Sequence, residues 1–255
     1  MSASMTVSEL WRHPVKSLQG QSVSTASVVA DGLEGDRTWG IRDLATGRVL
    51  TARRAPLLLE AAATIDAGGV PTLNLPDGTT VTGPGTETDA ALSAWLGTSV
   101  TLVSSTAGPP ARAEYFADAT DDASQPIEWT MPPGRFVDSM AILVLTTASL
   151  RAGANHHPEG RWETRRFRPN VVVDVDGDDF VEDTWCHRPV RIGSVELVPR
   201  EPCVRCTMVT RAQPGLPRDL EVYRTLARHH SATFGVWTEV ARPGTIAVGD
   251  TVTVS

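Results

Sequence analysis

Pro71-Thr-Leu-Asn-Leu-Pro-Asp-Gly-Thr-Thr-Val-Thr82 reads as two short strands, 71–75 and 79–82, around the turn Pro76-Asp-Gly78. With a strand-like run at 57–65 before it, this stretch is a meander, and the same pattern continues in both directions. Upstream, β-branched runs at 7–11 and 22–29 are separated by Gly20, and 38–42 and 49–52 flank the turn Leu44-Ala-Thr-Gly47 as a hairpin. Downstream, strand-like runs stand at 100–104, 142–146, 169–175, 189–192, 195–199, 236–240, 245–247 and 251–254. Helix signals are few: 88–96 closes on Gly97, a helix begins at 147–150, and 219–229 carries Val222 and Leu226 at helical spacing. The expected fold class is mostly β with a few helices (α+β), as two barrel-type units in preference to alternating βαβ. Prolines crowd 105–135, which sets the expected division: one unit over 1–108, a linker or loop over 109–135, and a second unit over 136–255.

Composition narrows the function classes. A chain of 255 residues, 41% hydrophobic, is long enough for one large or two small domains and too apolar for wholesale disorder. Its longest apolar run, 141–145, is far short of a membrane span, and Met1-Ser-Ala-Ser-Met5 has no secretory signal character. A net charge of −7 argues against nucleic acid as the main partner. Three cysteines fit a reducing compartment better than a disulfide framework, so the expectation is a cytoplasmic protein with no membrane or nucleic-acid partner. Of the 23 Lys+Arg, Lys16 alone is a lysine.

Chemistry concentrates in a few patches. Cys203-Val-Arg-Cys206 admits half a zinc site, a redox dithiol, one important thiolate, or a buried pair of small residues. No second Cys-x-x-Cys completes a zinc set, Cys186-His187 being the other nearby candidate, and a dithiol wants a helix start in a βαβ context. Arg205 sets a fixed positive charge beside a thiol and favours thiolate. Arg165-Arg166-Phe167-Arg168-Pro169-Asn170 opens a Val-rich strand with three guanidinium forks that match an oxyanion, against the simpler reading of a solvated basic turn facing the acidic 174–179 run. Pro14-Val-Lys16-Ser17, Gly35-Asp-Arg37 and Thr51-Ala-Arg53-Arg54 form a third set, and none is a phosphate-binding glycine loop or a Gly-x-Ser-x-Gly elbow. The pairs His156-His157 and His229-His230 read as surface residues.

In order along the chain, Pro14-Val-Lys-Ser17, Gly32-Leu-x-Gly-Asp-Arg37-x-Trp39 and Thr51-Ala-Arg53 resemble the N-terminal β-barrel domain that precedes MOSC (molybdenum-cofactor sulfurase C-terminal) domains. Phe167-Arg-Pro-Asn170, Pro202-Cys-x-Arg-Cys206 and Pro243-Gly-Thr-Ile-x-Val-Gly-Asp250 are similar to the MOSC domain itself. The resemblance covers nearly the whole chain and extends to the amidoxime-reducing group, so the two units are expected to be an N-terminal β-barrel-like domain and a MOSC β-barrel domain.

The resemblance implies an oxidoreductase that holds a molybdopterin cofactor and reduces N-hydroxylated or N-oxide compounds by oxo transfer. Cys206 is then the metal ligand, while Lys16, Ser17, Arg37, Arg168, Asn170 and Arg205 grip the anionic cofactor or, for Arg205, steady the thiolate. Asp138, in Phe136-Val-Asp-Ser139, resembles the family's acidic residue beside the metal, a group able to orient or protonate substrate. No pyridoxal phosphate, haem or iron–sulfur cluster is expected, and electrons are expected from a separate protein of ferredoxin, flavodoxin or cytochrome type. Two other functions share the motifs: a persulfide carrier on Cys206, and a non-catalytic cofactor carrier.

Overall fold

The computed structural model describes residues 5–107, 110–115 and 127–255. Its largest element is an eight-stranded sheet in the order Val252–Val254, Val190–Ile192, Val195–Val204, Thr233–Arg242, Ile142–Thr146, Val171–Asp174, Thr6–Arg12, Gln21–Val23. All five residues of Ile142–Thr146 are buried, as befits a strand covered on both faces. Its pairing with Val171–Asp174 is parallel, which demands a crossover. That crossover carries the helices Thr147–His156 and Thr164–Phe167. Val7, Leu10, Val144, Val171, Val236 and Leu197 fill one core beneath this sheet, each contributing about 1.5–3 kcal/mol by leaving water.

Four α-helices occur among the described residues. Helix α1 (Thr86–Leu96) ends on Gly97 in the left-handed region at φ 67°. Helix α2 (Thr147–His156) is the parallel crossover, capped by Thr146, whose side chain accepts from Ser149 N. Helix α3 (Thr164–Phe167) is a single turn, and α4 (Leu220–His229) is capped by Asp219 and buries Val222, Thr225 and Leu226 on one face. A second core, with Val15, Leu18, Ile41, Leu58, Leu73 and Leu92, lies between α1, the pair Trp39–Asp43 and Val100–Ser104, and the meander Ala62–Ile65, Pro71–Asn74, Thr80–Thr82.

Mostly-β architecture with few helices is therefore what the chain forms, with local departures. The 57–65 run splits: Pro56–Glu60 is a 3-10 turn that buries the adjacent Leu58 and Leu59, and only Ala62–Ile65 is strand. The expected 38–42/49–52 hairpin is reduced to a bridge between Arg42 and Val49, and Trp39–Asp43 pairs on its other edge with Val100–Ser104. Within 109–135, Arg112–Tyr115 pairs with Ile127–Thr130; residues 1–4, 108–109 and 116–126 lie outside the described residues.

The hydrogen-bonded sheets divide the chain differently from its linear order. Thr6–Arg12 pairs with Val171–Asp174, and Thr25–Val29 pairs with Gly244–Ala247. The first strands thus close the sheets of the C-terminal half, and the segment after Arg12 crosses from one core to the other. That crossing positions the site.

Candidate functional site

Strand Thr6–Arg12 runs out at His13, and residues 13–17 are zipped against 37–39: Arg37 N donates to His13 O (2.7 Å), Trp39 N to Pro14 O (3.0 Å) and Lys16 N to Trp39 O (2.8 Å). Phe136 N donates to Arg37 O (2.8 Å), and Trp11 N to Asn170 O (2.9 Å). Four sequence-distant segments, 13–17, 36–39, 136–138 and 167–170, therefore meet at one place. Ser17, Arg37 and Arg168 adopt left-handed φ values of 70°, 51° and 55°. Such a conformation costs a residue with a β-carbon about 1–3 kcal/mol and persists only where surrounding bonds dictate it. The Ser17 hydroxyl is held by Ala52 N at 2.9 Å, which brings in the Thr51-Ala-Arg53 motif.

The site is cationic and its cations are buried. Lys16, Arg37, Arg168 and Arg205 are each less than 10% exposed. Lys16 Nζ donates to Asp138 Oδ1 (2.6 Å) and Phe136 O (3.2 Å). Arg37 donates to Asp36 Oδ2 (2.5 Å), Asn170 Oδ1 (3.2 Å) and Arg168 O (3.2 Å). Arg168 donates to Leu18 O, and Asn170 Nδ2 to Trp11 O at 3.3 Å. Four cations face two carboxylates, Asp36 and Asp138. Burial first, and the neighbouring Arg37 guanidinium second, push the Arg168 pKa down to about 9 despite those carboxylates. An uncompensated buried charge costs several kcal/mol, a cost that an anion placed among these cations would offset.

His13 lies in the same cluster. It is 2% exposed, its Nε2 stands 3.2 Å from Pro169 O, and its buried Nδ1 has no partner. Burial, then the charges of Arg168 and Arg37, hold its pKa well below the ordinary 6.5. Because Pro169 O only accepts, the proton sits on Nε2 and Nδ1 offers a lone pair. A β-carbon on Gly20 would stand 2.4 Å from that Nδ1, so the position tolerates no side chain.

Asp138 differs from its neighbours. Its side chain is 76% exposed although Lys16 beneath it is buried. The surrounding protein opposes its charge, but Lys16, with help from Arg37 and Arg168, outweighs this and holds the carboxyl below the usual carboxylate range. Asp138 is thus an ionised rim group on a buried cationic floor. A recess of about 380 Å³ lies on the other side of this segment, lined by Arg135, Val137, Ser139 and Met140 among others, but not by Asp138, Lys16 or either cysteine of 203–206. The chemistry gathers around the cationic floor, not in that recess.

The two cysteines of the tetrad part ways. Strand Val195–Val204 alternates, so Cys203 (1% exposed) turns inward while Val204 (68% exposed) faces out. Arg205 Nη1 donates to Cys203 Sγ at 3.0 Å and Nη2 to Phe167 O at 2.8 Å, and its buried Nε has no partner. Burial pushes the Cys203 thiol up, against the pull of Arg205. Cys206 is half-buried and begins the 3-10 turn Thr207–Thr210. The guanidinium expected beside Cys206 is therefore bonded to Cys203 instead, since residues 203 and 205 lie on one face of the chain.

The expected three-arginine fork also resolves into one. Arg166 is fully buried but donates to the carbonyls of Arg161, Val209, Arg211 and Pro217, and Arg165 is taken by Glu163 and Pro214 O. Only Arg168 joins the cluster. His13, directly before the Pro-Val-Lys-Ser motif, has no motif of its own, and Asp36 stands in the Gly-Asp-Arg motif without an expected role. Cys186 is half-buried away from the cluster, and among the described residues no group of three or more His, Cys, Asp or Glu could hold a metal ion.

Residues 4–120 match the MOSC N-terminal beta barrel domain, and residues 133–253 match the MOSC domain. The chain belongs to the MOSC family. Mouse mitochondrial amidoxime-reducing component 1 is 29% identical over 97% of this chain and 81% of its own length. The human protein of that name is 29% identical over 97% and 82%, and bovine mitochondrial amidoxime reducing component 2 is likewise 29% identical. Among solved structures, the YUAD protein of Bacillus subtilis aligns over 99% of this MOSC chain and 96% of its own, with 14% identity and a TM-score of 0.49.

Proposed function

We propose that this MOSC protein binds a molybdenum–molybdopterin cofactor and reduces N-hydroxylated or N-oxide compounds. One observation carries the reading: a buried excess of positive charge, with donors still unspent at Arg205 Nε, next to a half-exposed Cys206. The naming of the relatives as amidoxime-reducing components agrees with it. The donor set suits the group, because guanidinium and ammonium donors match phosphate and pterin, and a soft thiolate suits a metal bound by dithiolene sulfurs.

In this reading Lys16, Ser17, Arg37, Arg168 and Asn170 hold the anionic end, and the Cys206 sulfur is the protein's metal ligand. Arg205 acts one residue away, fixing Cys203 and the Phe167 carbonyl so that the backbone delivers Cys206. When bound, the cofactor supplies the two-electron step that breaks the substrate's N–O bond. The overall reaction takes two electrons and two protons, converts N–OH to N–H and releases water. Asp138 stands at the open rim, where its ionised carboxylate orients an N–OH hydrogen and relays protons from solvent, while Lys16 keeps it charged between turnovers. Electrons come from a separate carrier protein of ferredoxin, flavodoxin or cytochrome type, in the cytoplasm.

The test is metal and pterin analysis of protein made in a cofactor-competent host, with Cys206→Ser and Cys203→Ser beside it. The expected result is molybdenum in the wild type, its loss in Cys206→Ser, and its retention in Cys203→Ser. A wild type without molybdenum overturns the proposal; persulfide on Cys206 in its place identifies a sulfur carrier, and bound molybdenum without turnover of any N-oxygenated compound identifies a cofactor carrier.

A further inference from the structure

The turn that leaves α4 carries an unusual load. Ser231 and Ala232 are consecutive left-handed residues, at φ 49° and 57°, although both have β-carbons. The His230 side chain closes this turn. Its Nδ1 is 2.9 Å from Thr233 O, and its Nε2 is 2.9 Å from Asp183 Oδ2. The Thr233 hydroxyl lies 3.0 Å from Nδ1 while giving its own hydrogen to His230 O at 2.9 Å, so it too faces Nδ1 with a lone pair. Every group facing the two ring nitrogens is an acceptor, which is the arrangement of an imidazolium. The Phe180 ring stacks on it at 3.6 Å and 15°, a favourable seat for a cation.

The other titratable groups nearby are few. Glu182, beside Asp183, is a fully buried carboxyl bonded to the hydroxyls of Thr146 and Ser149. On α4 itself, His229 stacks on His156, and Arg228 is paired with Glu221. Burial lowers the His230 pKa, but the Asp183 carboxylate, the Thr233 carbonyl and Glu182 outweigh it, and the net direction is upward from 6.5.

This turn holds the cysteine tetrad at two points. Ala232 O accepts from Arg205 N at 2.7 Å, and Thr233 pairs across the sheet with Val204. Arg205 in turn holds Cys203 Sγ and Phe167 O, and the next residue is Cys206. We propose that protonated His230 is a positioning residue for Cys206: it locks the 230–233 turn against Asp183, and the turn fixes Arg205 and hence the backbone that presents the cysteine. Losing the proton removes one donor and loosens that hold. The role matters for function only if Cys206 is the ligand of the proposed site.

The experiment is amide hydrogen exchange by NMR on the cofactor-free protein from pH 5 to 8, each rate divided by its intrinsic value. Protection of the Arg205 amide is compared with the core-strand amides of Val144 and Val172, and the His230 ring protons are followed in the same samples. The expected result is a drop of about tenfold in Arg205 protection as His230 deprotonates, with the core amides unchanged. His230→Gln removes the step and leaves Arg205 weakly protected at every pH. Asp183→Asn keeps the ring and moves the step to lower pH, which carries the test if His230→Gln does not fold. In a Cys186→Ser background, iodoacetamide modifies Cys206 several-fold faster at pH 6 in His230→Gln than with His230 present. A flat Arg205 profile, a fall shared with the core amides, or an unchanged Cys206 rate overturns the proposal. Because no readout needs the cofactor, absence of molybdenum overturns the proposed function alone, and a flat profile in a protein that binds molybdenum overturns only the role of His230.

Discussion

Arg166 and Arg168 sit two residues apart in one basic motif, are both nearly inaccessible to water, and have opposite fates. Arg166 spends its donors on four backbone carbonyls and ties the 161–167 segment to the 209–217 segment. Arg168 makes one bond, to Leu18 O, among three other cations. Burial lowers the pKa of both and each has carboxylates and cations near it, but the strongest neighbouring charge is the supporting Asp219 at Arg166 and the opposing Arg37 at Arg168. The difference shows that a buried guanidinium marks an anion site only when its donors and its charge are both left over. Otherwise it is an internal strap.

The comparison breaks most visibly at the strap. Arg166→Met strands four carbonyls in a closed corner, and chemical denaturation is expected to show a loss of about 3–5 kcal/mol or a failure to fold. Arg168→Met is expected to leave stability within about 1 kcal/mol of wild type, because removing an unfavourable buried charge offsets the lost bond. Its effect is on the anion: inorganic phosphate raises the melting temperature of the wild type and not of Arg168→Met. Equal behaviour of the two variants in both assays would erase the distinction.

A third prediction sharpens the electrostatics of the cluster. His13 is depressed below 6.5 in the folded protein, so the unfolded chain binds its proton first as the solution is acidified. The stability that neutral His13 contributes is fully present above 6.5 and is lost as pH falls below it, with a slope of up to about 1.4 kcal/mol per pH unit. His13→Gln is expected to flatten that acid limb in denaturation curves between pH 6.5 and the folded pKa; an unchanged slope means another group causes it. The smallest effect is at the lone lysine. Lys16→Arg keeps the charge but replaces a compact ammonium, wedged between Asp138 and Phe136 O, by a wider fork. Cofactor retention is expected to fall by about tenfold, or about 1.4 kcal/mol, with little change in unfolding.

The residues of the candidate site were legible because motifs are local. Pro-Val-Lys-Ser, Asp-Arg, Phe-Arg-Pro-Asn and Cys-x-Arg-Cys each contribute members that the fold brings into one cluster. What was not legible is direction. Nothing in the run Arg165-Arg166-Phe167-Arg168 tells which guanidinium turns toward Leu18 O and which toward Val209 O, since that follows from a one-turn helix ended by Arg168 in the left-handed region. Likewise Arg205 serves Cys203 because both turn inward at the end of strand Val195–Val204, which the spacing alone leaves open. A single histidine beside a motif, such as His13, has no sequence signature of burial, and the seat of His230, expected at the surface, depends on Asp183, 47 positions away.

By itself, the sequence determined that the chain is mostly β, that its motifs follow the order of a MOSC N-terminal barrel and a MOSC domain, and that Lys16 is its single ammonium side chain. Hydrophobic patterning and turn chemistry act over a few residues, so they survive in the linear string. Only the tertiary structure decided that strand Thr6–Arg12 closes the C-terminal sheet, that four cations gather on one buried floor with Asp36 and beneath the exposed Asp138, and that a histidine turn holds the cysteine segment. Those are matters of long-range pairing and net charge in a low-dielectric space, and they exist only once distant segments have been brought together.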